Sequence, residues 1–294
     1  MTKRAFLERL TAGEVLVSDG ATGTNLQQAG LPMGAAAELW VLENPDAIHA
    51  LNQAFIEAGA DILLTCTFGG TRLRLEASGL ADQFNDINQT AVKITRAAIA
   101  DRDVLVAGSI GPLGHMLAPL GLVSVQAAEA EFREQAALLC DMGVDLIVVE
   151  THYDLTEASA AIRGVRAVDP AIPLVCSFSY DRGTRTMMGV KPAAMAAEIG
   201  ALDVDMLGIN CGRSLGDNLA ALEELHAATE KPLWFKPNAG MPEVDEDGEA
   251  TYAVSPEDMA ALVPEWMANG ARVIGGCCGT SPEHLAAMAR VVHA

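Results

Sequence analysis

The chain has 294 residues, half of them hydrophobic, which is enough to bury one large core and is a common length for one α/β barrel. Its formal net charge of −20 repels phosphate backbones and excludes nucleic acid as a partner. The sequence has no apolar run near the ~20 residues that cross a bilayer, and its N-terminal segment carries charges throughout. We therefore predict a cytoplasmic protein with one domain, residues 1–294, and no membrane partner.

Short apolar runs alternate with longer amphipathic segments along the whole chain. The runs predict eight strands: Val15–Ser18, Ile62–Thr65, Val104–Ser109, Leu146–Val149, Leu174–Phe178, Met206–Ile209, Leu233–Lys236 and Val273–Gly275. A predicted helix follows each strand: Pro45–Ala58, Gln83–Ala100, Val125–Met142, Leu155–Val168, Pro192–Ile199, Leu215–Thr229, Pro256–Ala268 and Pro282–Val292. Eight such units predict an α/β fold, a closed (β/α)8 TIM barrel.

Polar and glycine-rich segments follow the predicted strands directly. In a parallel barrel these segments all face one mouth, where the active sites of this fold lie. The acidic segment 243–249 is different, and we interpret it as a solvated turn rather than a metal site. The mouth segments are 19–24, 65–68, 109–112, 150–151, 210–212, 237–240 and 276–280.

Three of the six cysteines, Cys211, Cys277 and Cys278, follow the sixth and eighth strands. These strands are separated by one other strand, roughly 10 Å at ~4.8 Å per step, so loops can bring the three sulfurs onto one ion. Zinc–sulfur bonds of ~2.3 Å would gather the thiolates and leave the fourth tetrahedral position open. Adjacent cysteines share a metal only where the backbone bends, which the flanking glycines permit.

This ligand set also predicts a chemistry. Three thiolates leave Zn²⁺ with a net negative charge, so it is a poor Lewis acid for hydrolysis and a good partner for another sulfur. A substrate thiol that enters the fourth position loses its proton at neutral pH. Cys211, Cys277 and Cys278 are therefore predicted as the metal ligands and catalytic residues. The alternative is that the cysteines only fill the barrel end, although a vicinal pair between glycines packs poorly.

Three motifs resemble the homocysteine S-methyltransferase family: Asp-Gly-Ala-Thr-Gly-Thr at 19–24, Gly-Ile-Asn-Cys at 208–211 and Gly-Gly-Cys-Cys-Gly at 275–279. Segments 65–72, 236–240 and 277–284 are most similar to the homocysteine module of cobalamin-dependent methionine synthases, which continue into folate, cobalamin and reactivation modules. The resemblance covers nearly the whole chain. It implies a (β/α)8 barrel with one zinc ion, on which homocysteine is bound as a thiolate and methylated to methionine.

The resemblance also implies roles for residues around the cysteines. Glu150 would hold the ammonium group of homocysteine, and the turn of Asp19 and Gly20 would lie against the amino-acid end of the substrate. Asn210 and Asn238 would lie beside the zinc ion. Glu150 closes an apolar strand, where a carboxylate is a poor core residue, which agrees with a binding role. A structural cap or an ion pair is the alternative for Asp19 and Glu150.

The motifs do not determine the methyl donor. A quaternary ammonium donor such as betaine calls for an aromatic cage, and only 4% of the residues are aromatic. Since no cobalamin module is attached, we expect a separate methyl-corrinoid protein as the donor, so that the corrinoid is not bound by this chain itself. S-methylmethionine and betaine are the alternatives.

Two functions of other classes stay open. Lys236, at the end of the seventh strand, could form the Schiff base of a lyase. A non-catalytic zinc or thiol sensor would use reversible oxidation of the vicinal cysteines. Cys66 and His152 are further candidates near the mouth whose roles the sequence does not decide.

Overall fold

The computed structural model describes residues 5–244 and 250–294. The strands in this part of the chain are β1 (Leu16–Val17), β2 (Ile62–Leu64), β3 (Leu105–Ile110), β4 (Leu146–His152), β5 (Leu174–Phe178), β6 (Met206–Cys211), β7 (Leu233–Pro237), β8 (Pro242–Val244), β9 (Ala250–Tyr252) and β10 (Ala271–Ile274). Eight of them form one parallel sheet in the order β1-β10-β7-β6-β5-β4-β3-β2. A parallel bridge between Ser18 and Ile62 joins the two outer strands of this order. The predicted (β/α)8 barrel is confirmed.

The helices lie between the strands and around the barrel. They are α1 (Ala5–Thr11), α2 (Thr22–Gln28), α3 (Leu39–Glu43), α4 (Pro45–Glu57), α5 (Arg72–Glu76), α6 (Phe84–Ile99), α7 (Val125–Asp141), α8 (Leu155–Val168), α9 (Pro192–Glu198), α10 (Leu215–His226), α11 (Pro256–Ala261), α12 (Val263–Ala268) and α13 (Pro282–Val292), with a 3-10 turn at Ala81–Gln83. None of the helices in the described ranges is both long and apolar enough to span a membrane.

The predicted elements agree with the observed ones within three residues at their ends, with one exception. The single helix predicted over 256–268 is wrong, because α11 ends at Ala261 and α12 begins at Val263. Pro264 explains the break, since it has no N–H to donate to the carbonyl of Ala260 and its ring disfavours a continuous helix. The acidic turn predicted at 243–249 lies mostly outside the described residues.

Helices α1, α2, α3 and α5 and the antiparallel hairpin of β8 and β9 were not predicted. These elements have three to seven residues, too few to show a clear hydrophobic period. The hairpin belongs to the long connection after β7 and therefore lies on the mouth side of the barrel.

The interior of the barrel begins with an apolar layer. Phe6 of α1 packs against this layer and closes the end opposite the mouth. The layer is fully buried or nearly so, and every barrel strand contributes to it. We call it the lower layer; its members are Leu16, Ile62, Leu64, Leu105, Ala107, Leu146, Val148, Val175, Met206, Trp234 and Val273.

A second, polar set of side chains follows one strand period closer to the mouth. Side chains alternate between the two faces of a strand, so the residue two places after an inward residue also points inward. Ser109 follows Ala107 in this way, and Lys236 follows Trp234. These side chains are buried, and we call them the upper layer: Ser109, Glu150, Ser177, Asn210 and Lys236.

Candidate functional site

The structure brings the sulfurs of Cys211, Cys277 and Cys278 together above the upper layer. The Cys211 sulfur lies 3.3 Å from that of Cys277 and 3.9 Å from that of Cys278. All three sulfurs lie within 4.8 Å of one another. Tetrahedral ligands at ~2.3 Å from a zinc ion stand roughly 3.8 Å apart, so this spacing fits three ligands of one such ion. The three cysteines form a group that could hold a metal ion.

Cys211 owes its place to an unusual backbone conformation at the end of β6. Its φ angle is +60°, in the left-handed region, where a residue other than glycine costs roughly 1–2 kcal/mol. Asn218 of α10 donates a hydrogen bond of 2.7 Å to the Cys211 carbonyl, and its amide fills the space where a side chain at Gly212 would be. The chain therefore turns sharply at Cys211, at the point where the strand reaches the mouth.

Cys277 and Cys278 follow β10 in a turn that is tied to the neighbouring strands. A Cβ atom at Gly275 would lie 2.7 Å from the carbonyl oxygen of Asp19, so only glycine allows this approach. The backbone N–H of Cys277 donates to Pro237 at 2.9 Å, and the carbonyl of Cys278 accepts from Ala239 at 3.0 Å. These bonds to the chain around the end of β7 bring the vicinal pair towards Cys211.

Tyr252 of β9 is a neighbour of the cysteines that the sequence did not indicate. Its ring lies against Gly279, where a Cβ atom would overlap it. Burial raises the pKa of the Tyr252 hydroxyl to about 12, with a further contribution from the nearby thiolate charge of Cys278. The hydroxyl therefore keeps its proton and can donate to sulfur.

The three thiols share their protons. Hydrogen bonds from Cys211 and Cys277 lower the pKa of the Cys278 thiol, and Tyr252 contributes a smaller effect in the same direction. Its bonds to Cys277 and Cys278, together with burial, raise the pKa of Cys211 well above the usual value for a thiol. The hydrogen bonds within the cluster therefore favour a thiolate at Cys278 that accepts from the other two thiols.

Asp19 and Lys236 form a buried ion pair between the lower layer and the cysteines. The Lys236 ammonium lies 2.5 Å from one Asp19 oxygen, and the backbone N–H of Leu64 donates to the other at 2.7 Å. Burial alone would lower the pKa of Lys236, but the charges of Asp19 and Glu150 outweigh it and raise the pKa. Lys236 is therefore held as an ammonium ion, whereas a Schiff-base lyase needs a free amine.

Glu150 lies beside this pair and supplies the carboxyl group of the upper layer. The Ser109 hydroxyl donates a hydrogen bond of 2.5 Å to it. Burial raises the pKa of Glu150 to about 7, although the Lys236 charge and the Ser109 hydrogen bond oppose the shift. The carboxyl group is therefore near its midpoint at neutral pH, and a cation that enters the pocket would favour the ionised form.

Asn210 links the upper layer to the cysteines. Its side-chain oxygen accepts hydrogen bonds from the Thr151 N–H at 2.9 Å and the Ser177 hydroxyl at 2.6 Å. Its amide nitrogen donates to the Thr151 hydroxyl at 2.6 Å and lies 4.0 Å from the Cys277 sulfur. Thr151 itself has a φ angle of +62°, so Asn210 holds a strained turn next to Glu150.

Asn238 and Gly20 lie next to the segments that carry the cysteines. The Asn238 amide donates to the Gly212 carbonyl at 2.7 Å, while its side-chain oxygen is buried and has no hydrogen-bond partner within the described residues. A Cβ atom at Gly20 would lie 2.7 Å from the Phe55 ring, so this glycine is required for packing. Asn238 thus leaves an open acceptor next to Cys211, which a cation or a donor could satisfy.

His152 and Cys66 belong to the core and not to the cysteine site. Both ring nitrogens of His152 are buried without a hydrogen bond in the described structure, and its ring centre lies 5.9 Å from that of Phe132. Burial lowers the pKa of His152 to about 3, so the ring is neutral. Cys66 packs in a separate apolar cluster with residues such as Trp40, and burial raises the pKa of its thiol.

The sequence placed Ser109 and Thr151 in mouth segments without assigning them a role, and it did not indicate Ser177 or Tyr252. The period-two pattern of the strands is a signal for the two serines, because each lies two places after an apolar inward residue. Thr151 and Tyr252 have no such signal. One depends on a bulge near the end of β4, and the other on a hairpin too short to predict.

The sequence model described as homocysteine S-methyltransferase matches residues 16–292. The chain belongs to this family. It is 32% identical to the methionine synthase of Mycobacterium leprae over 303 residues, which cover 98% of the chain and 25% of the relative. It is also 32% identical to the methionine synthase of Mycobacterium tuberculosis, over 95% of the chain and 24% of the relative. The chain thus spans about a quarter of the length of these curated relatives.

A solved member of the family has the same architecture. The metallated form of the homocysteine methyltransferase MmuM from Escherichia coli is similar to this structure with a TM-score of 0.81 and 29% identity. The match covers 98% of this chain and 99% of the MmuM chain. The family resemblance inferred from the three motifs is therefore confirmed.

Proposed function

We propose that this protein binds homocysteine as a zinc thiolate on Cys211, Cys277 and Cys278 and methylates it to methionine. The observation that carries the proposal is the approach of the three sulfurs at the barrel mouth, directly above a buried polar layer, in a chain of this family. Buried polar side chains next to three thiols suit an amino acid that carries its own thiol.

The residues present fit a zinc ion. The three sulfurs have the spacing of zinc ligands, and Asn238, whose amide donates to Gly212 beside Cys211, keeps a buried side-chain oxygen without a partner in the described residues. When bound, zinc would hold the sulfur of the substrate as a thiolate at neutral pH. Among the described residues, no fourth cysteine, histidine or carboxylate joins this group, so the fourth ligand would come from the substrate.

Glu150 would bind the ammonium group of homocysteine. Its pKa of about 7 means that a substrate cation within ~4–6 Å shifts the carboxyl group to its charged form. The charge of Asp19 is already balanced by Lys236. Of the two carboxylates, Asp19 and Glu150, it is therefore Glu150 that can bind a new cation. Asn210 would hold the turn that positions Glu150, and the backbone of Asp19 and Gly20 would border the amino-acid end.

The transfer step needs no protein base. A substrate thiol held by the zinc ion would already have given its proton to solvent. A lone pair of the sulfur then forms the new bond to the methyl carbon, and the electrons of the old bond stay with the donor. The chain's own residues hold the sulfur in place and direct it to the mouth, which is the side from which a donor can approach.

We propose a methyl-corrinoid protein as the donor, because the curated relatives are methionine synthases. A betaine cage is not supported by the aromatic residues near the strand ends. Trp234 lies in the lower layer, Tyr180 is fully buried and Phe68 carries Arg74 over its face. Tyr153 and Tyr252 are partly exposed, but they lie on two different connections, after β4 and after β7. S-methylmethionine is the second candidate, since MmuM, which the match covers almost completely, is described simply as a homocysteine methyltransferase.

A donor panel tests the proposal. Zinc-loaded protein is incubated with homocysteine and, in separate reactions, a methylated corrinoid protein, S-methylmethionine or betaine, and methionine is measured. We expect one zinc ion per chain and methionine from the corrinoid protein. Methionine from betaine alone would contradict the proposed donor, and the absence of methionine with every donor would contradict the function.

Cys278→Ala tests the role of the cysteines. We expect zinc binding below one ion per chain and a loss of activity of about 10³-fold or more, roughly 4 kcal/mol of transition-state stabilisation. Cys176→Ala is the matched control, because Cys176 is fully buried in the outer core away from the mouth cysteines. The control should keep its zinc and its activity.

A further inference from the structure

The large apolar side chains that are exposed lie on one side of the barrel. Seven such side chains occur in the described residues, and all of them belong to segments that follow β1, β3, β5 or β7. These segments surround the mouth. Single exposed apolar residues are common on protein surfaces, but they are normally scattered over the surface rather than confined to one end.

The apolar side chains are concentrated on the connections after β3 and β5. Leu122 is 101% exposed, Leu120 66% and Met187 52%. Met116 and Leu120 of the first connection share a cleft of about 130 Å³ with Met188 of the second, so the two connections are in contact. We call Met116, Leu120, Leu122, Met187 and Met188 the rim patch.

The connection after β3 holds these side chains outwards. The N–H of Ala118 donates to the Val123 carbonyl at 2.8 Å, and Leu117 and Val123 both pack on the outer core. The base of the loop is therefore held in place, with Leu120 and Leu122 exposed at the tip between them. Its apolar exposure is a feature of the folded protein.

The charge around the rim patch differs from that of the rest of the molecule. The chain has a net charge of −20, yet the connections after β3, β4, β5 and β6 contain four basic and two acidic residues. Arg182 and Arg213 are exposed and have no ion-pair partner within the described part of the chain. Arg185 is exposed, and within the described residues its guanidinium donates to the Gly189 carbonyl of its own turn, at 3.2 Å.

We propose that the rim patch, with Arg182, Arg185 and Arg213 at its edge, is a docking surface for a protein that carries the donor methyl group and presents acidic side chains. The inference rests on the proposed function and specifies its partner. A small free donor would use the inside of the mouth, and outward-facing Leu and Met side chains would give it nothing. An apolar centre rich in Met with Arg at the edge is typical of a protein interface.

The exposed leucines provide the main test. Methyl transfer to homocysteine is compared with two donors: the isolated cobalamin module of the Mycobacterium tuberculosis methionine synthase, loaded with a methyl group, and free methylcobalamin. For Leu120→Glu/Leu122→Glu we expect the KM for the protein-borne donor to rise at least 10-fold, with transfer from free methylcobalamin unchanged within twofold. Ala201→Glu/Ala228→Glu adds the same two charges at the opposite end and should leave both reactions unchanged.

A second test uses the arginines. Binding of the methylated module to the wild-type protein should weaken as salt increases, and Arg182→Glu/Arg213→Glu should weaken it at least 10-fold and remove most of the salt dependence. The proposal is overturned if the leucine variant binds the module as well as the wild type does, or loses transfer from both donors equally. It is also overturned if sedimentation shows a wild-type dimer that the leucine variant dissociates.

Direct binding separates this inference from the proposed function. If the wild-type protein binds the module but forms no methionine from any donor, the docking surface stands and the methyl-transfer proposal fails. If it forms methionine only from small donors and does not bind the module, the docking surface fails and the methyl-transfer proposal stands.

Discussion

The two layers inside the barrel are built on the same strands and have opposite chemistry. Ala107 and Trp234 of the lower layer are each followed, two residues later, by the Ser109 and Lys236 of the upper layer. A distance of roughly 6.6 Å along the strand therefore separates apolar packing from buried ions and hydrogen bonds. The comparison indicates that the lower layer stabilises the fold, while burial of the polar upper layer lowers stability and supplies the groups of the candidate site.

The largest effect should come from breaking the ion pair of the upper layer. Lys236→Met leaves the Asp19 carboxylate buried without its partner, and we expect a loss of about 3–5 kcal/mol in the free energy of unfolding, measured with urea. The double variant Asp19→Asn/Lys236→Met removes both charges and should recover part of the loss. If Lys236→Met lowered the free energy of unfolding by less than about 1 kcal/mol, the ion pair would not contribute appreciably to stability.

A substitution in the lower layer should change the stability of the protein but not its site. Met206 is fully buried in it, so Met206→Ala should lower the free energy of unfolding by about 2–5 kcal/mol through lost contacts and a cavity. Zinc content and the KM for homocysteine should stay unchanged in the protein that remains folded. A variant that loses zinc while keeping its stability would contradict the separation of the two layers.

Asn210→Ala should affect the site more than the fold. The change releases Thr151 and removes the amide next to Cys277, and supporting hydrogen bonds of this kind are worth roughly 10–100-fold in metal affinity or activity. Competition with a zinc chelator measures the affinity. Ser177→Ala removes only one partner of Asn210 and should give a smaller loss. Equal zinc affinity in Asn210→Ala and the wild type would exclude a supporting role.

The effect expected for Glu150 depends on pH. The pKa is about 7 in the folded protein and about 4.5 when unfolded, so the folded state binds the proton more tightly. This contribution is complete below pH ~4.5 and is lost as the pH rises through ~7, a total of roughly 3 kcal/mol. Glu150→Gln removes it, so the stability of the variant relative to wild type, both without zinc, should increase from pH 5 to pH 8.

Glu150→Gln should weaken homocysteine binding, whereas its stability relative to wild type should improve as the pH rises. If Glu150 holds the substrate ammonium, Glu150→Gln raises the KM for homocysteine although the protein is more stable at pH 8. If unfolding of Glu150→Gln has the same pH dependence as that of the wild type, burial does not raise the pKa of Glu150. An unchanged KM would show that the ammonium group binds elsewhere.

Strand and helix positions were largely predictable because each is set by local pattern. The β5 strand over Leu174–Phe178 and the α8 helix over Leu155–Val168 were predicted to the residue. The hydrophobic period and the capping Asp154 are both short-range signals. The break at Leu262 was missed because the amphipathic pattern continues across it and only the proline marks it.

The site was predictable in its residue types but not in its connections. Cys211 and the vicinal pair, Glu150 and Asn210 were all identified from the ends of strands and from the family motifs. The pairing of Lys236 with Asp19 was not, because the two residues are 217 positions apart in the chain. No local pattern encodes which carboxylate a buried lysine will meet.

The sequence by itself determined the eightfold repeat, the family and the three cysteines that mark the mouth. Tertiary structure decided what these residues can do. Closing the barrel places Asp19 of the first strand next to Lys236 of the seventh, and the left-handed turn at Cys211 sets its sulfur 3.3 Å from that of Cys277. The physical reason is that these interactions act over different separations along the chain. Hydrophobic period and capping act within a few residues, whereas burial, charge pairing and sulfur spacing depend on segments that only the closed barrel brings together.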